Sequence, residues 1–155
     1  MATPQQALVK LKHYCAYQER CHREVKKKLS QLGVWGFDAE EIIATLIQED
    51  FLNEERYAQS FARGKFKMNK WGKNKIRYAL KRNQVSPYCI QKAMREIEEE
   101  EYILTLRTLA QKKYRTLKKE QYLRRKYKVK DHLIRKGYEP ELVKKVLQEI
   151  TESND

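Results

Sequence analysis

KNKIRYALKRNQVSPYCIQKAMREI, residues 73–97, and KYKVKDHLIRKGYEPELVKKVLQEI, residues 126–150, decide the fold between them. Placed 53 positions apart, they share a register. Ile76, Leu80, Val85, Ile90, Met94 and Ile97 recur as Val129, Leu133, Tyr138, Val143, Leu147 and Ile150, and Pro87 recurs as Pro140. Upstream, Tyr57 and Phe61 recur as Ala110 and Tyr114. A looser copy lies near the N-terminus, with Val25 and Leu29, then Phe37, Ile42 and Leu46, and about three extra residues around Gly33 to Gly36. Self-similarity at a fixed period marks a repeat architecture. The apolar positions within each copy follow helical spacing, and no segment alternates as a strand would.

Each unit reads as three helices. A longer first helix leads to a short one that ends near a turn residue, Gly33, Asn83 or Gly137. The third helix opens on a cap. Asp38 and Ser86 have side-chain oxygens that accept from the unpaired N–H groups of a first turn. Pro87 and Pro140 suit the first helical position, where no N–H is needed. Asn53 is expected to cap the long helix of the second unit. The predicted fold is all-α: three tandem three-helix repeats, at 1–51, 52–97 and 98–155, in an elongated, curved array. Such an array suits lying along a filament or groove.

Composition agrees. The chain has 155 residues with only 5 Gly and 3 Pro, too few turn residues for an all-β fold. Leu, Ile, Val and Phe number 35, enough with 10 Tyr and 2 Trp for a modest core but not for a deep one around a buried active site. No apolar run approaches the roughly 18 residues a membrane span needs. The opening MATPQQALVKLKHY has no signal-peptide core, which predicts a cytoplasmic protein. Three Cys argue against a disulfide scaffold.

The charge is the strongest functional signal. With 34 Lys and Arg against 21 Asp and Glu, the net charge is +13, which suits a polyanionic partner. It is also segregated. From residue 63 to 82 there are nine basic residues and no acid; from 107 to 136 there are thirteen and two acids, Glu120 and Asp131. Acids gather instead at Asp38, Glu40 and Glu41, at Glu49, Asp50, Glu54 and Glu55, and at Glu96 with Glu98 to Glu101. A basic stretch carrying Phe66 and Trp71 can contact phosphates and stack on bases. An acidic block can meet a basic patch on a protein. The sequence leaves both readings open.

Catalytic patterns are missing: no Gly-rich phosphate loop, paired-carboxylate motif or His-Glu metal helix. His13, Cys15, Cys21 and His22 form one soft-ligand cluster, but it lacks the short Cys-x-x-Cys spacing of structural zinc sites. Packing or helix-end roles are expected for these residues, with no metal and no cofactor. Cys89 is expected to be half-buried and His132 exposed. Gly72 should break the chain between two helices, with Trp71 either packing or facing a partner. Tyr57, Ala58 and Phe61 read as the inner stripe of their helix.

The run FLNEERYAQSFARGKFKMNKWGKNKI, residues 51–76, resembles the signature of the RecX family, bacterial regulators of the RecA recombinase. Its family-like positions are Leu52, Asn53, Arg56, Tyr57, Ala58, Phe61, Lys65, Gly72, Lys75 and Ile76. Upstream, RCHREVKKKLSQLG is similar to the first-unit motif through Arg20, Glu24, Lys28 and Leu29, while Cys21 and His22 stand near a position where Ser is common. The third unit matches mainly in its helical spacing. The resemblance implies three three-helix repeats and a non-enzymatic protein. It implies binding to RecA filaments on single-stranded DNA. It further implies inhibition of ATP hydrolysis, strand exchange and coprotease activity, by blocking filament growth or promoting disassembly.

The expected contact surface is Arg63, Lys65, Lys67, Lys70, Trp71, Lys73, Lys75 and Arg77, with Arg124, Arg125, Lys126, Lys128 and Lys130 as a second set. Reversing charge at Lys73 and Lys75 is expected to weaken inhibition without unfolding. The expected partners are the RecA filament and single-stranded DNA, with double-stranded DNA left open, and the expected state is a monomer. A helix-turn-helix-like DNA-binding protein or transcription regulator is the rival reading. The second helices, however, offer mostly Lys, which reads charge rather than base edges. A metal-dependent nuclease would need an acidic ligand cluster inside the basic regions, and the sequence has none there.

Overall fold

The computed structural model describes residues 1–153. Those residues form nine helices and no strand. They are α1 (Pro4–Tyr17), α2 (His22–Gln31), α3 (Gly36–Gln48), α4 (Glu54–Asn69), α5 (Lys73–Arg82), α6 (Pro87–Met94), α7 (Glu99–Thr116), α8 (Tyr122–Arg135) and α9 (Pro140–Ser153).

The helix starts follow local chemistry. Asn53 Oδ1 accepts from the Arg56 N–H at 2.9 Å, and Ser86 Oγ from the Cys89 N–H at 3.3 Å. Pro87 and Pro140 each open their helix. Asp38 does not cap: α3 begins at Gly36, so Asp38 lies in its first turn, where a carboxylate still favours the positive helix end. Cys21 takes the N-cap place of α2, and its N–H donates to Glu24 Oε1 at 2.9 Å.

The second helices end alike, although α8, with 14 residues, is not short as α2 and α5 are. Val34, Val85 and Tyr138 donate their N–H to the carbonyls of Leu29, Leu80 and Leu133, at 2.9, 3.1 and 3.1 Å. The residue before each is left-handed: Gly33, Gln84 and Gly137. The turn residue of the second repeat is therefore Gln84, not Asn83, whose amide instead donates to the Tyr57 hydroxyl at 2.9 Å. Every apolar position of the 53-residue register from Ile76 to Ile97, and its partner from Val129 to Ile150, is buried. In the first repeat the core position belongs to Val34, while Phe37 is 72% exposed. The extra residues follow Val34, so Phe37 falls on the solvent face of α3.

The chain forms two compact units. One contains residues 1–61 and 80–93; the other contains 62–79 and the residues from 94 onward. The boundary runs through α4 and α5. The first unit is built on Ala7, Leu11, Cys15, Val25, Leu29, Val34, Ile42, Leu46 and Leu52. Tyr57 and Ala58 are buried as expected, and Phe61 is half-buried. Arg56 ties two loops together, pairing with Glu19 and with Asp50 at 3.1 Å, and donating to the Asp50 carbonyl. The hydrogen bond that Arg56 donates to the Glu19 carboxylate pushes the guanidinium pKa further up. Glu54 accepts from the Ser86 N–H at 2.6 Å, and Glu55 pairs with Lys92 at 3.3 Å. Burial raises the thiol pKa of Cys15 and of Cys21, so both stay protonated and inert. Cys89 is buried rather than half-buried.

The second unit centres on an aromatic column. Phe66, Tyr102 and Tyr138 stack with centroids 5.7 and 5.1 Å apart. Their polar tips are satisfied. The Tyr102 hydroxyl donates to Glu139 and accepts from the Lys73 N–H at 2.9 Å. The Tyr138 hydroxyl donates to the Lys70 carbonyl at 2.9 Å. Desolvation pushes both phenol pKa values up. Beside the column two backbones meet: the Gly72 N–H donates to the Lys136 carbonyl at 2.8 Å, and the Asn74 N–H to the Gly137 carbonyl at 2.9 Å. Gly72 thus separates α4 from α5 as expected, and it also allows this approach. His132 is half-buried rather than exposed. Desolvation, with Lys113 and Lys136 nearby, lowers its pKa and keeps it neutral at pH 7.

Candidate nucleic-acid interface

The basic residues singled out in the sequence all lie in the second unit, but they do not do one job. Arg63 is half-exposed and pairs with Glu96 at 3.5 Å. Lys73 is mostly covered, with 14% of its side chain exposed; it pairs with Glu99 at 3.1 Å and lies 4.6 Å over the Tyr102 ring. It therefore holds α5 to α7, and reversing its charge would break that contact. Lys70 sits at a left-handed position after α4, and its ammonium donates to the Lys67 carbonyl at 3.0 Å.

Lys65 and Lys75 place their ammonium groups 4.9 and 4.5 Å from the centroid of the Trp71 ring. Trp71 is half-buried, neither fully packed nor fully presented. Lys67 is exposed in the last turn of α4, where the helix dipole favours a cation. Arg77 is exposed on α5 and reaches Asn74 Oδ1 at 3.1 Å. Lys67, Lys75 and Arg77 make no ion pair among the described residues. Their charge is available to an anion.

The second set divides in the same way. The Arg125 guanidinium lies 3.4 Å above the Tyr114 ring, and its Nε donates to the Tyr114 carbonyl at 2.8 Å. In the first unit Arg20 does the same to Tyr14, at 3.7 and 3.0 Å. These arginines close the end of a long helix. Glu120 accepts from Lys128 and lies 3.8 Å from Arg124; the Lys128 hydrogen bond holds its carboxyl below the usual range. Lys126 sits 5.4 Å over the Tyr122 ring, and Lys130 is exposed. Sequence reasoning missed Tyr122 and Tyr127, two exposed rings on the same helix. The available signal was the four-residue step from Tyr122 to Lys126 and on to Lys130, which places all three on one face.

The acidic blocks are partly consumed inside the molecule. Glu49, Asp50, Glu55, Glu96 and Glu99 are ion-paired. No group of three or more His, Cys, Asp or Glu is arranged to hold a metal ion among the described residues. No described helix is long and apolar enough to cross a membrane.

The fold and this surface define an all-α array of three-helix repeats. Family models for the second and third three-helix domains of RecX match residues 53–94 and 99–147. The chain belongs to the RecX family. The regulatory protein RecX of Bacillus cytotoxicus is 30% identical over 151 residues, which are 97% of this chain and 56% of that protein. The Bacillus mycoides regulatory protein RecX is 26% identical over the same shares. The chain thus spans about half the length of these curated relatives. The crystal structure of RecX from Lactobacillus salivarius superposes with a TM-score of 0.86 at 24% identity, covering 96% of each chain. A second crystal structure of a regulatory protein RecX gives 0.83 at 23% identity, covering 92% of this chain and 70% of that one.

Proposed function

We propose that this chain regulates the RecA recombinase by binding RecA filaments on single-stranded DNA. It inhibits ATP hydrolysis, strand exchange and coprotease activity by blocking filament growth or promoting disassembly. The carrying observation is the pair of consecutive RecX domain matches over residues 53–147. The net charge of +13 supports a polyanionic or acidic partner surface. On this reading the protein is a cytoplasmic monomer that catalyses no reaction. Its repeats are bounded at 1–51, 52–97 and 98–155. Lys67, Lys75 and Arg77, with Trp71, are its first contact surface.

The test is ATP hydrolysis by the cognate RecA on circular single-stranded DNA with this protein titrated in. Inhibition well below one molecule per RecA is expected. No effect at any ratio sinks the proposal and favours the rival DNA-binding regulator. Lys67→Glu with Arg77→Glu should raise the concentration needed for half-inhibition about tenfold or more, by removing charge contacts. Both residues are exposed, so the variant's thermal unfolding should match the parent's. A double variant that inhibits as well as the parent moves the contact surface elsewhere.

A further inference from the structure

A cleft of about 500 Å³ opens between α8 and α9 in the second unit. Clefts of ~300–1,000 Å³ are the usual size for holding a small ligand or one unit of a polymer. Tyr122, Lys126 and Lys130 follow each other at four-residue steps along one side of α8, and Tyr127 lies beside them. Val129 and Leu133 turn the other side of α8 into the core. Across the cleft α9 contributes Lys144, with Leu147 and Thr151 as a buried floor. The Thr151 hydroxyl is already spent on the Gln148 carbonyl at 3.1 Å. Glu152, the one acid of the lining, accepts from the Gln148 amide at 3.2 Å.

The rings are the unusual part. Tyr122 and Tyr127 are 45% and 68% exposed. Lys130 and Lys144 have no ion-pair partner among the described residues, whereas Lys128, Lys73 and Arg63 of the same unit do.

We propose that this cleft binds an unpaired stretch of nucleic acid, with bases against Tyr122 and Tyr127 and phosphates on Lys126, Lys130 and Lys144. This rests on the reading of the chain as a regulator working on DNA, and adds a place where it touches the strand. Aromatic rings stack on base faces that only a single strand leaves open, and lysines hold the backbone without reading sequence. An acidic peptide fits less well. Carboxylates favour the bidentate fork of Arg, and the lining has none. The rings would also be left unused.

The test is fluorescence anisotropy with labelled oligothymidylate, run beside the RecA ATPase assay on the same samples. Tyr127→Ala should weaken binding about tenfold, the loss expected for one stacking ring. Lys130→Glu with Lys144→Glu should weaken it further and flatten its salt dependence by about two phosphate contacts. All three residues are exposed, so thermal unfolding should not change. If the parent binds oligothymidylate and these variants bind it equally well, the cleft assignment is overturned while the regulator reading stands. If Tyr127→Ala keeps its affinity for oligothymidylate but loses inhibition, the cleft holds a protein segment and the nucleic-acid assignment is wrong. If the parent inhibits RecA without binding oligothymidylate, the cleft proposal alone falls. Weakened oligothymidylate binding by the variants supports it even where the parent leaves RecA activity untouched.

Discussion

Gly33 in the first unit and Gly137 in the second occupy the same place in their repeats, yet they are glycines for different reasons. Each ends a second helix in a left-handed conformation, at φ +77° and +107°. The nearest atoms to a Cβ on Gly33 would all belong to the Met1 side chain, from 3.0 Å outward. A Cβ on Gly137 would stand 2.4 Å from the Lys75 Cβ and 2.8 Å from its backbone nitrogen. The facing Gly72 is tighter still, since its Cβ would lie 2.2 Å from the Gly137 carbonyl carbon. The middle repeat shows what the turn alone requires: Gln84 adopts φ +61° without glycine. A left-handed turn tolerates a side chain at modest cost. Backbone-to-backbone contact does not.

The largest expected effect comes from Gly137→Ala. It forces two backbones apart and endangers the paired hydrogen bonds beside them, so urea unfolding should show a loss of about 3 kcal/mol or more. A loss below about 1 kcal/mol would break the contrast with Gly33. Next is Gly33→Ala, where a flexible methionine can move aside. The remaining cost is the left-handed backbone, about 1 kcal/mol in the same measurement. The smallest is Gln84→Gly. Relief of the left-handed strain outweighs the extra freedom of glycine in the unfolded chain, so stability should rise by about 0.5 kcal/mol. A clear loss instead would mean that the Gln84 side chain supports its turn.

Much of this fold could be read from the sequence because buried positions recur at fixed spacing. All twelve positions of the 53-residue register between Ile76 and Ile97 and between Val129 and Ile150 are buried, whereas core residues outside it, such as Tyr102 and Leu106, carry no such signal. The first repeat was read less well. Phe37 is the larger hydrophobe and drew the alignment, but Val34 sits where the turn hydrogen bond from its N–H to Leu29 places it. Asn83 misled in a similar way: it is the better turn former, but its amide is engaged by Tyr57.

The candidate surface was legible in charge and opaque in detail. A count of lysines cannot separate Lys73, tied to Glu99 26 positions away, from Lys67, which faces water. That distinction depends on which acids the fold brings near. Tyr122 and Tyr127 escape a reading that weighs only the basic residues of that run, Lys126 and Lys128 among them, because nothing in the sequence shows which rings stay exposed.

The two tryptophans are divided between the units, Trp35 in the first and Trp71 in the second. Trp35 donates its indole N–H to Ser30 Oγ at 3.0 Å and is 61% exposed. Trp71 lies against the ammonium groups of Lys65 and Lys75. The molecule therefore carries one tryptophan per unit, each excitable at wavelengths where its 10 tyrosines do not absorb. Replacing either tryptophan by phenylalanine leaves an optical signal from the other unit alone, so loss of structure in each can be timed without an added dye. The colour of the Trp71 emission also responds to the positive charge beside its ring. Any anion that draws those two lysines away would announce itself as a spectral shift.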